Sequence, residues 1–271
     1  MTVAPTTTPV GALLRDWRER RRLSQLELAS RAGVSARHLS FVETGRSRPT
    51  GAMILRLCEH LEVPLREQNR FLLAGGFAPV HPERALDEPS MAVVHDAVER
   101  VLAAHAPYPA LVVDQGWDLV SANEPVYALL DGVAAELLEP PVNVIRLTLH
   151  PDGLAPRIVN LPEWRHHLLD RLRRELAATG DDRLRALLEE LSGYPCQGPA
   201  PTPMAYGAGA LVVPLRLRHR DAELGMFSTT TVFGTPREVT VSELAIESFY
   251  PVDDATRAFF ADLAADPAAA R

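Results

Sequence analysis

The sequence contains no lysine, so all 28 residues in its Lys and Arg count are arginine. Its two cysteines, Cys58 and Cys196, are far apart and have no histidine at the spacing of a zinc site. No run of about 18 apolar residues is present, and the first nine residues lack the features of a signal peptide. We therefore expect a cytoplasmic protein without a disulfide, a metal site, a cofactor or a membrane partner.

The charge is unevenly distributed along the chain. A net charge of −7 over 271 residues argues at first against a nucleic-acid partner. Residues 1–75, however, hold 12 Arg and 7 acidic residues, whereas the remainder holds 16 Arg and 28 acidic residues, so the local charges are +5 and −12. A phosphate-binding surface is therefore expected only near the amino end, and the acidic remainder would orient the molecule on DNA.

The segment 23–45 carries the start and stop signals of two short helices. Ser24 and Glu27 have the spacing of a capping box, so the first helix is predicted to begin at residue 25. Gly33 provides the left-handed conformation that ends this helix, and Ser35 caps the next one. The pattern predicts a helix-turn-helix, the geometry that inserts a helix into a DNA groove.

The second helix of this pair has distinct inner and outer sides. Leu39 and Val42 are three residues apart and suit the core. Ala36, Arg37, Ser40 and Phe41 are then left on or near the outer side, as candidates for base contacts. Apolar residues at helical spacing around positions 10–17 and 54–61 predict flanking helices that complete a small bundle. A bundle that binds another protein is the alternative interpretation.

Two motifs stand out in this region: Ser-Gln, Leu-Ala and Gly-Val-Ser within 24–35, and Leu39-Ser40 followed by Glu43, Arg46 and Pro49. Through them the chain resembles the Xre/Cro-like helix-turn-helix regulators over roughly residues 10–64. This resemblance implies double-stranded DNA as a partner and a phosphate contact from Gln25. It also implies base contacts from the start of the second helix, where Arg37 is the main candidate. The full set of predicted DNA-binding residues is Gln25, Ser35, Ala36, Arg37, His38, Ser40, Arg46 and Arg48. Of these, Arg46 and Arg48 are expected to hold phosphates.

The remainder of the chain is predicted to form a domain that contains both helices and strands. We expect a DNA-binding domain over 1–76, a linker over 77–89 and a second domain over 90–271. Strands are predicted at 110–114 and 117–122, then helices up to about 192, then strands at 211–218, 224–233 and 239–249, with helices also at 91–106 and 254–264. The predicted fold class is an all-α, lambda-repressor-like bundle followed by an α+β PAS-like domain, in which an antiparallel sheet and its helices enclose a small pocket.

Four short sequence segments support a more specific assignment: 109–123, 143–153, 224–236 and 249–253. They resemble the MmyB-type ligand-binding domain found behind Xre-like helix-turn-helix domains, over roughly residues 90–265. The resemblance implies a one-component transcription regulator with an apolar, fatty-acid-like ligand.

Five residues are candidates for contact with that ligand: Trp117, Arg146, Trp164, Phe227 and Phe233. The four aromatic residues would line the pocket, although ordinary core packing explains them equally well. Arg146 lies in an apolar run, where an unpaired charge is costly. It is expected either to hold a ligand carboxylate or to form an ion pair with Asp152 or Glu163.

Other polar residues have simpler explanations. Asn123 is expected to cap a helix, and the adjacent His166 and His167 would point in different directions on a helix, so they cannot chelate one ion. His150 and Asp152 lie in a turn sequence, and no nucleophile, phosphate-loop or dinucleotide motif is present. The sequence therefore predicts no enzyme.

Two hypotheses follow for the whole chain. In the first, a homodimer binds a two-fold operator and a small apolar ligand modulates that binding, since one recognition helix contacts too few base pairs for specificity. In the second, the carboxy-terminal domain serves only for dimerisation or protein docking.

Overall fold

A computed structural model of the protein describes residues 8–196 and 212–265. Within these ranges the chain divides into two compact units. The first contains the residues up to Arg84 together with the short segments Ala177–Thr179 and Pro236–Ser242, and the second contains the rest.

The first unit contains five consecutive helices: α1 Val10–Arg20, α2 Gln25–Arg31, α3 Ala36–Glu43, α4 Gly51–His60 and α5 Leu65–Ala74. The Ser24 and Glu27 side chains form the predicted capping box at the start of α2. Ser35 and Thr50 cap α3 and α4, each accepting a hydrogen bond from the backbone N–H three residues later. Side-chain oxygens thus satisfy N–H groups that have no partner inside the helix.

The core of the first unit forms where the apolar faces of these helices meet. Leu14, Leu39, Ile54 and Phe71 are fully buried, and the predicted inward residue Val42 is buried as well. Gly33 turns the chain between α2 and α3 with a φ of +62°, as its sequence position predicts.

From Ala92 onwards the described residues form a five-stranded sheet and seven α-helices, and the sheet and six of these helices belong mainly to the second unit. The strands are β1 Ala110–Val113, β2 Leu119–Ala122, β3 Leu215–His219, β4 Ala222–Val232 and β5 Ala245–Pro251. The helices are α6 Ala92–Ala104, α7 Glu124–Ala128, α8 Val144–Leu149, α9 Leu161–Thr179, α10 Asp182–Ser192, α11 Val239–Glu243, of which residues 239–242 group with the first unit, and α12 Asp254–Ala265.

All strand pairings in the sheet are antiparallel, in the order β2-β1-β5-β4-β3. The predicted fold class, a helical bundle followed by an α+β domain with an antiparallel sheet, is therefore confirmed. In the β1–β2 turn, the Asp114 carboxylate accepts hydrogen bonds from the backbone N–H groups of Gly116 and Asp118. This is turn chemistry typical of Asp.

Alternation along the strands gives the sheet two different apolar faces. Leu111 and Val113 of β1 belong to the larger core, which they share with α8, α9 and α10. Ala110 and Val112 belong to a smaller cluster with Val98 and Leu102 of α6. Both faces of β1 are consequently buried.

The structure corrects several of the sequence-based expectations. The strand predicted at 239–249 begins only at Ala245, because residues 239–243 form α11, where the buried Glu238 carboxylate accepts a hydrogen bond from the N–H of Val241. Such a capping bond outweighs the strand propensity of β-branched residues.

Asn123 precedes α7 but makes no capping bond with its side chain. Its amide instead accepts a hydrogen bond from the Ala110 N–H and donates to the Leu102 and Tyr108 carbonyls. Asn123 thus links α6 to β1.

The strand predicted at 211–218 starts at Leu215, and Leu211 lies outside the described residues.

Candidate functional site

The first candidate site is the exposed end of α3. Ser35 caps this end of the helix, and Arg37, in its first turn, is exposed. The guanidinium of Arg37 lies 5.4 Å from the centre of the Phe41 ring, and that of Arg46 lies 6.0 Å from the same ring. Phe41 therefore brings together two predicted DNA-binding arginines that the sequence separates by nine positions.

The remaining predicted DNA-binding residues surround this cluster to different degrees. Ser35, Arg37, Arg46 and Arg48 are exposed, whereas Gln25, Ala36, His38 and Ser40 are half-buried. Sequence analysis did not identify Phe41 as the common platform of two cations. The available signal was an aromatic residue four positions after Arg37, one helical turn away.

A buried ion pair holds the last residue of α3, Glu43, against α1. The Arg18 guanidinium donates two hydrogen bonds to the Glu43 carboxylate, from Nε at 2.7 Å and from Nη2 at 2.9 Å. These bonds hold the pKa of Arg18 above its ordinary value despite burial. The Glu43 side chain is only 1% exposed, so its charge is neutralised inside the unit instead of facing the phosphates of DNA.

Gln25 joins the same network. Its Nε2 donates a hydrogen bond of 2.8 Å to the Glu43 carboxylate, while Arg18 also donates to the Leu23 carbonyl. The network links α1, the start of α2 and the end of α3. The Gln25 amide therefore has a fixed position, with one of its two N–H groups already engaged.

The second candidate site is a cavity of about 270 Å³ in the second unit. The sheet and the helices α7, α8 and α9 line it. Most of its lining is apolar, for example Leu111, Leu119, Leu147, Leu168, Leu217 and Met226. Two lining residues are exposed to solvent, Tyr127 at 52% and Leu138 at 37%, which marks the mouth of the cavity.

One end of the cavity is polar. Trp164, His167, Leu168 and Arg171 line it from α9, at the spacing of a single helix face. Across from them, β5 contributes Glu247. Burial and the positive charges of Arg171 and Arg174 lower the pKa of His167, so its ring is neutral at pH 7.

Arg171 is the centre of a closed polar network. It donates to Glu247 at 2.6 Å and to Glu175 at 3.1 Å, and its guanidinium lies 4.3 Å from the centre of the Trp117 ring. The Trp117 indole N–H donates to Glu175 at 2.7 Å. Burial acts to lower the pKa of Arg171, but the bonds to Glu247 and Glu175 outweigh it and raise that pKa.

Of the five predicted ligand contacts, Trp117 and Trp164 line the cavity and the other three residues do not. Arg146 forms the ion pair that was its alternative role, but with Glu190 of α10, at 2.7 and 2.8 Å, instead of Asp152 or Glu163. The sequence could not indicate this partner because it lies 44 positions further along the chain and is brought close only by helix packing.

The two phenylalanines pack elsewhere. Phe227 alternates with the cavity-lining residues Met226 and Ser228 on β4 and stacks on Tyr250, with ring centres 5.2 Å apart. Phe233 packs against the cluster on the α6 side of the sheet. Both rings are half-buried and pack against other side chains outside the cavity.

Sequence analysis missed Arg171 and Glu247. A usable signal was present, since Arg171 lies seven positions after Trp164 and therefore on the same helix face. Glu247 is a charged residue within a predicted strand, where its two neighbours Ile246 and Ser248 point to the opposite face of the sheet.

The histidines have separate environments. His166 is paired with Asp170 at 3.0 Å, whereas His167 stacks on Trp164 inside the cavity. His150 accepts a hydrogen bond from the Asp152 N–H within a turn. Over 8–196 and 212–265, no group of three His, Cys, Asp or Glu side chains has the arrangement of a metal site. In the same ranges, no helix has both the length and the apolar character needed to cross a membrane.

Comparison with known proteins gives two family matches. The family model of the MmyB-like transcription regulator ligand binding domain matches residues 94–263, and that of a helix-turn-helix domain matches residues 9–71. No curated protein matches the chain.

A solved structure of an RNA-binding light-oxygen-voltage receptor is 15% identical, with a TM-score of 0.25, below the level of a shared fold. The match covers 94% of this chain, which spans 62% of the length of that receptor.

Proposed function

Because the chain belongs to the MmyB-like transcription regulators, we propose that it binds a two-fold operator as a homodimer and that an apolar, fatty-acid-like ligand in the cavity modulates this binding. The helix-turn-helix domain and the ligand-binding domain together make the protein a DNA-binding transcription regulator. The proposal concerns the operator geometry, the ligand and the residues involved. It assigns the protein no catalytic step and a cytoplasmic location.

The exposed cluster of Arg37 and Arg46 on Phe41 supports the proposed DNA contacts. Arg37 lies in the first turn of α3, the part of a recognition helix that contacts base edges. Arg46 and Arg48 lie after the helix, where contacts to phosphates would fix its register. Gln25 would reach a phosphate with its second N–H, because Glu43 occupies the first. Ser35, Ala36, His38 and Ser40 would complete the contact surface.

The apolar cavity carries the proposal of a ligand. Its lining of leucines, valines, aromatics and Met226 suits a hydrocarbon chain, and a cavity of about 270 Å³ is near the lower end of the usual range for ligand pockets. The ligand would act by changing the relative placement of the two DNA-binding domains in the dimer. A coupling of about 1 to 3 kcal/mol is enough for such regulation.

Selection of bound sequences from a random DNA pool, with and without a panel of fatty acids, tests the proposal. We expect enrichment of a two-fold site whose half-sites lie about one helical turn, or a multiple of it, apart. Affinity for this site should change when an effective fatty acid is added. Enrichment of a site whose affinity no apolar compound alters would instead support the dimerisation or docking role.

A further inference from the structure

The charge balance at the polar end of the cavity restricts the chemistry of the ligand. Of the described residues that line the cavity, only Arg171 and Glu247 are charged. Their side chains are 18% and 5% exposed. Any polar group of a ligand at this end would meet these two residues, together with the neutral side chains of His167 and Ser228.

Arg171 already faces two carboxylates. Its Nη2 donates to Glu247 and its Nε donates to Glu175, so one cation is set against two anions. Its flat face is covered by the Trp117 ring. An ionised ligand carboxylate would therefore meet a cation whose charge the buried Glu247 already neutralises. Separating Glu247 from Arg171 to make room would leave a buried anion without its partner.

Other charges near Glu247 do not change this balance. Among the described residues, the charged or titratable side chains that interact with Glu247 or lie beside it in the cavity are on α9: His167, Arg171 and Glu175. The two strands beside β5 contribute groups that do not titrate, namely Ser228 and Thr230 of β4 and Leu111 of β1, with Thr230 donating a hydrogen bond to Glu247. Arg174 is exposed, and solvent screens its charge.

On the basis of the proposed function, we infer that the cavity binds an apolar chain through an uncharged hydrogen-bonding end, and that it binds a carboxylic acid only together with one proton. An alcohol or an ester meets the first condition directly. A fatty acid meets it when the proton is shared between its carboxyl group and Glu247, as it is in close pairs of carboxyl groups. The proton is taken up from solvent.

The volume of the cavity limits how much of the ligand it can enclose. A cavity of about 270 Å³ is near the lower limit of the usual range for ligand pockets, so it encloses a short chain more readily than a long one. Longer chains would extend through the mouth between Tyr127 and Leu138.

The test compares octanoic acid with 1-octanol, and their twelve-carbon analogues, by titration calorimetry of the full chain between about pH 6.5 and 8.5. A free carboxylic acid ionises at about pH 4 to 5, as Asp and Glu side chains do. Uptake of one proton then weakens acid binding about tenfold for each pH unit, whereas alcohol binding should stay constant. The alcohol also controls for any titration of His167 or other protein groups.

The variant Glu247→Gln removes one of the two anions at nearly unchanged volume. We expect it to bind the acid more tightly at pH 8 and to flatten the pH dependence. Glu223→Gln is the matched control, because Glu223 is exposed and pairs with Arg216 on strands β3 and β4. This control should keep the pH dependence of the wild type.

Calorimetry of the wild type in phosphate and in Tris buffer gives the number of protons taken up with each bound acid. This measurement tests the inference even if Glu247→Gln does not fold. One proton taken up per acid supports the inference. Binding of the acid without proton uptake, at least as tightly as the alcohol, would overturn the inference and leave the proposed function intact. Failure of all four compounds to bind would overturn the proposed ligand class, and this inference with it.

Discussion

At the scale of single residues, Arg37 is the side chain on which sequence recognition is expected to depend. It is exposed in the first turn of a capped helix, and Phe41 holds its guanidinium. Arg37→Ala should cost about 1 to 3 kcal/mol of binding free energy at the selected operator and relax specificity at one base position. Fluorescence anisotropy on operator and random DNA measures both effects. An equal loss on random DNA would contradict the role in base recognition.

The control for this measurement is Arg185→Ala, which removes an exposed arginine from α10 of the second unit. It makes the net charge of the protein more negative by the same amount but does not change the proposed DNA surface. Its operator affinity should equal that of the wild type.

A variant of Phe41 tests whether the aromatic ring shared by Arg37 and Arg46 contributes to DNA affinity. Phe41→Leu keeps an apolar side chain but removes the ring beneath Arg37 and Arg46. Each exposed cation–π contact is worth about 0.5 to 1 kcal/mol, so we expect a loss of operator affinity of about 1 kcal/mol. Thermal unfolding monitored by circular dichroism should show a much smaller change. A variant with wild-type affinity would show that the two arginines need no platform.

At the scale of elements, the packing of α1 against α3 depends on one glycine. A Cβ atom added to Gly11 would lie 2.2 Å from the Val42 carbonyl oxygen and 2.9 Å from that of Glu43. Both neighbours are backbone atoms, so the helices themselves would have to move apart.

Gly11→Ala should therefore destabilise the first unit by about 1 to 3 kcal/mol, although alanine is the better helix former. Urea unfolding of the full chain measures this loss. Gly33→Ala is an informative comparison, since nothing lies within 4 Å of its added Cβ and its cost comes only from the positive φ. If Gly11→Ala were more stable than the wild type, helix propensity would outweigh the steric conflict.

The buried ion pair also acts between elements. Glu43→Gln leaves the Arg18 guanidinium buried without its carboxylate, and breaking such pairs typically costs about 3 to 5 kcal/mol. We expect a loss near the lower limit, because the glutamine oxygen still accepts one hydrogen bond. Asp16→Asn is the matched control, because it removes a carboxylate, 55% exposed, from the pair with Arg20 on the same helix and should leave the urea midpoint nearly unchanged. Similar midpoints for both variants would contradict a structural role for the buried pair.

At the scale of the whole molecule, ligand binding and operator binding must influence each other equally. If a saturating fatty acid changes operator affinity by a given factor, then saturating operator DNA must change fatty-acid affinity by the same factor. We expect a factor of about 5 to 150, corresponding to about 1 to 3 kcal/mol.

Operator titrations with and without the fatty acid give one factor, and fatty-acid titrations with and without the operator give the other. The tryptophan fluorescence of Trp117 and Trp164, which line the cavity, reports the second titration. A change in operator affinity without the reciprocal change would show that the ligand acts at some other site or on the DNA.

The sequence by itself determined the family and most of the helices and strands. Caps such as Ser24 and Ser35, the turn at Gly33 and the alternation along β1 are local features, because each depends on residues only a few positions apart. For this reason the helix-turn-helix, the antiparallel sheet and the two resemblances were predictable without coordinates.

Only the tertiary structure decided the partners of the charged residues. Glu190 for Arg146, Glu247 for Arg171 and Glu43 for Arg18 lie 44, 76 and 25 positions away. The close approach at Gly11 has the same origin. Such contacts depend on how the helices and strands pack. For residues this far apart in sequence, no local pattern indicates which acidic residue will contact which arginine.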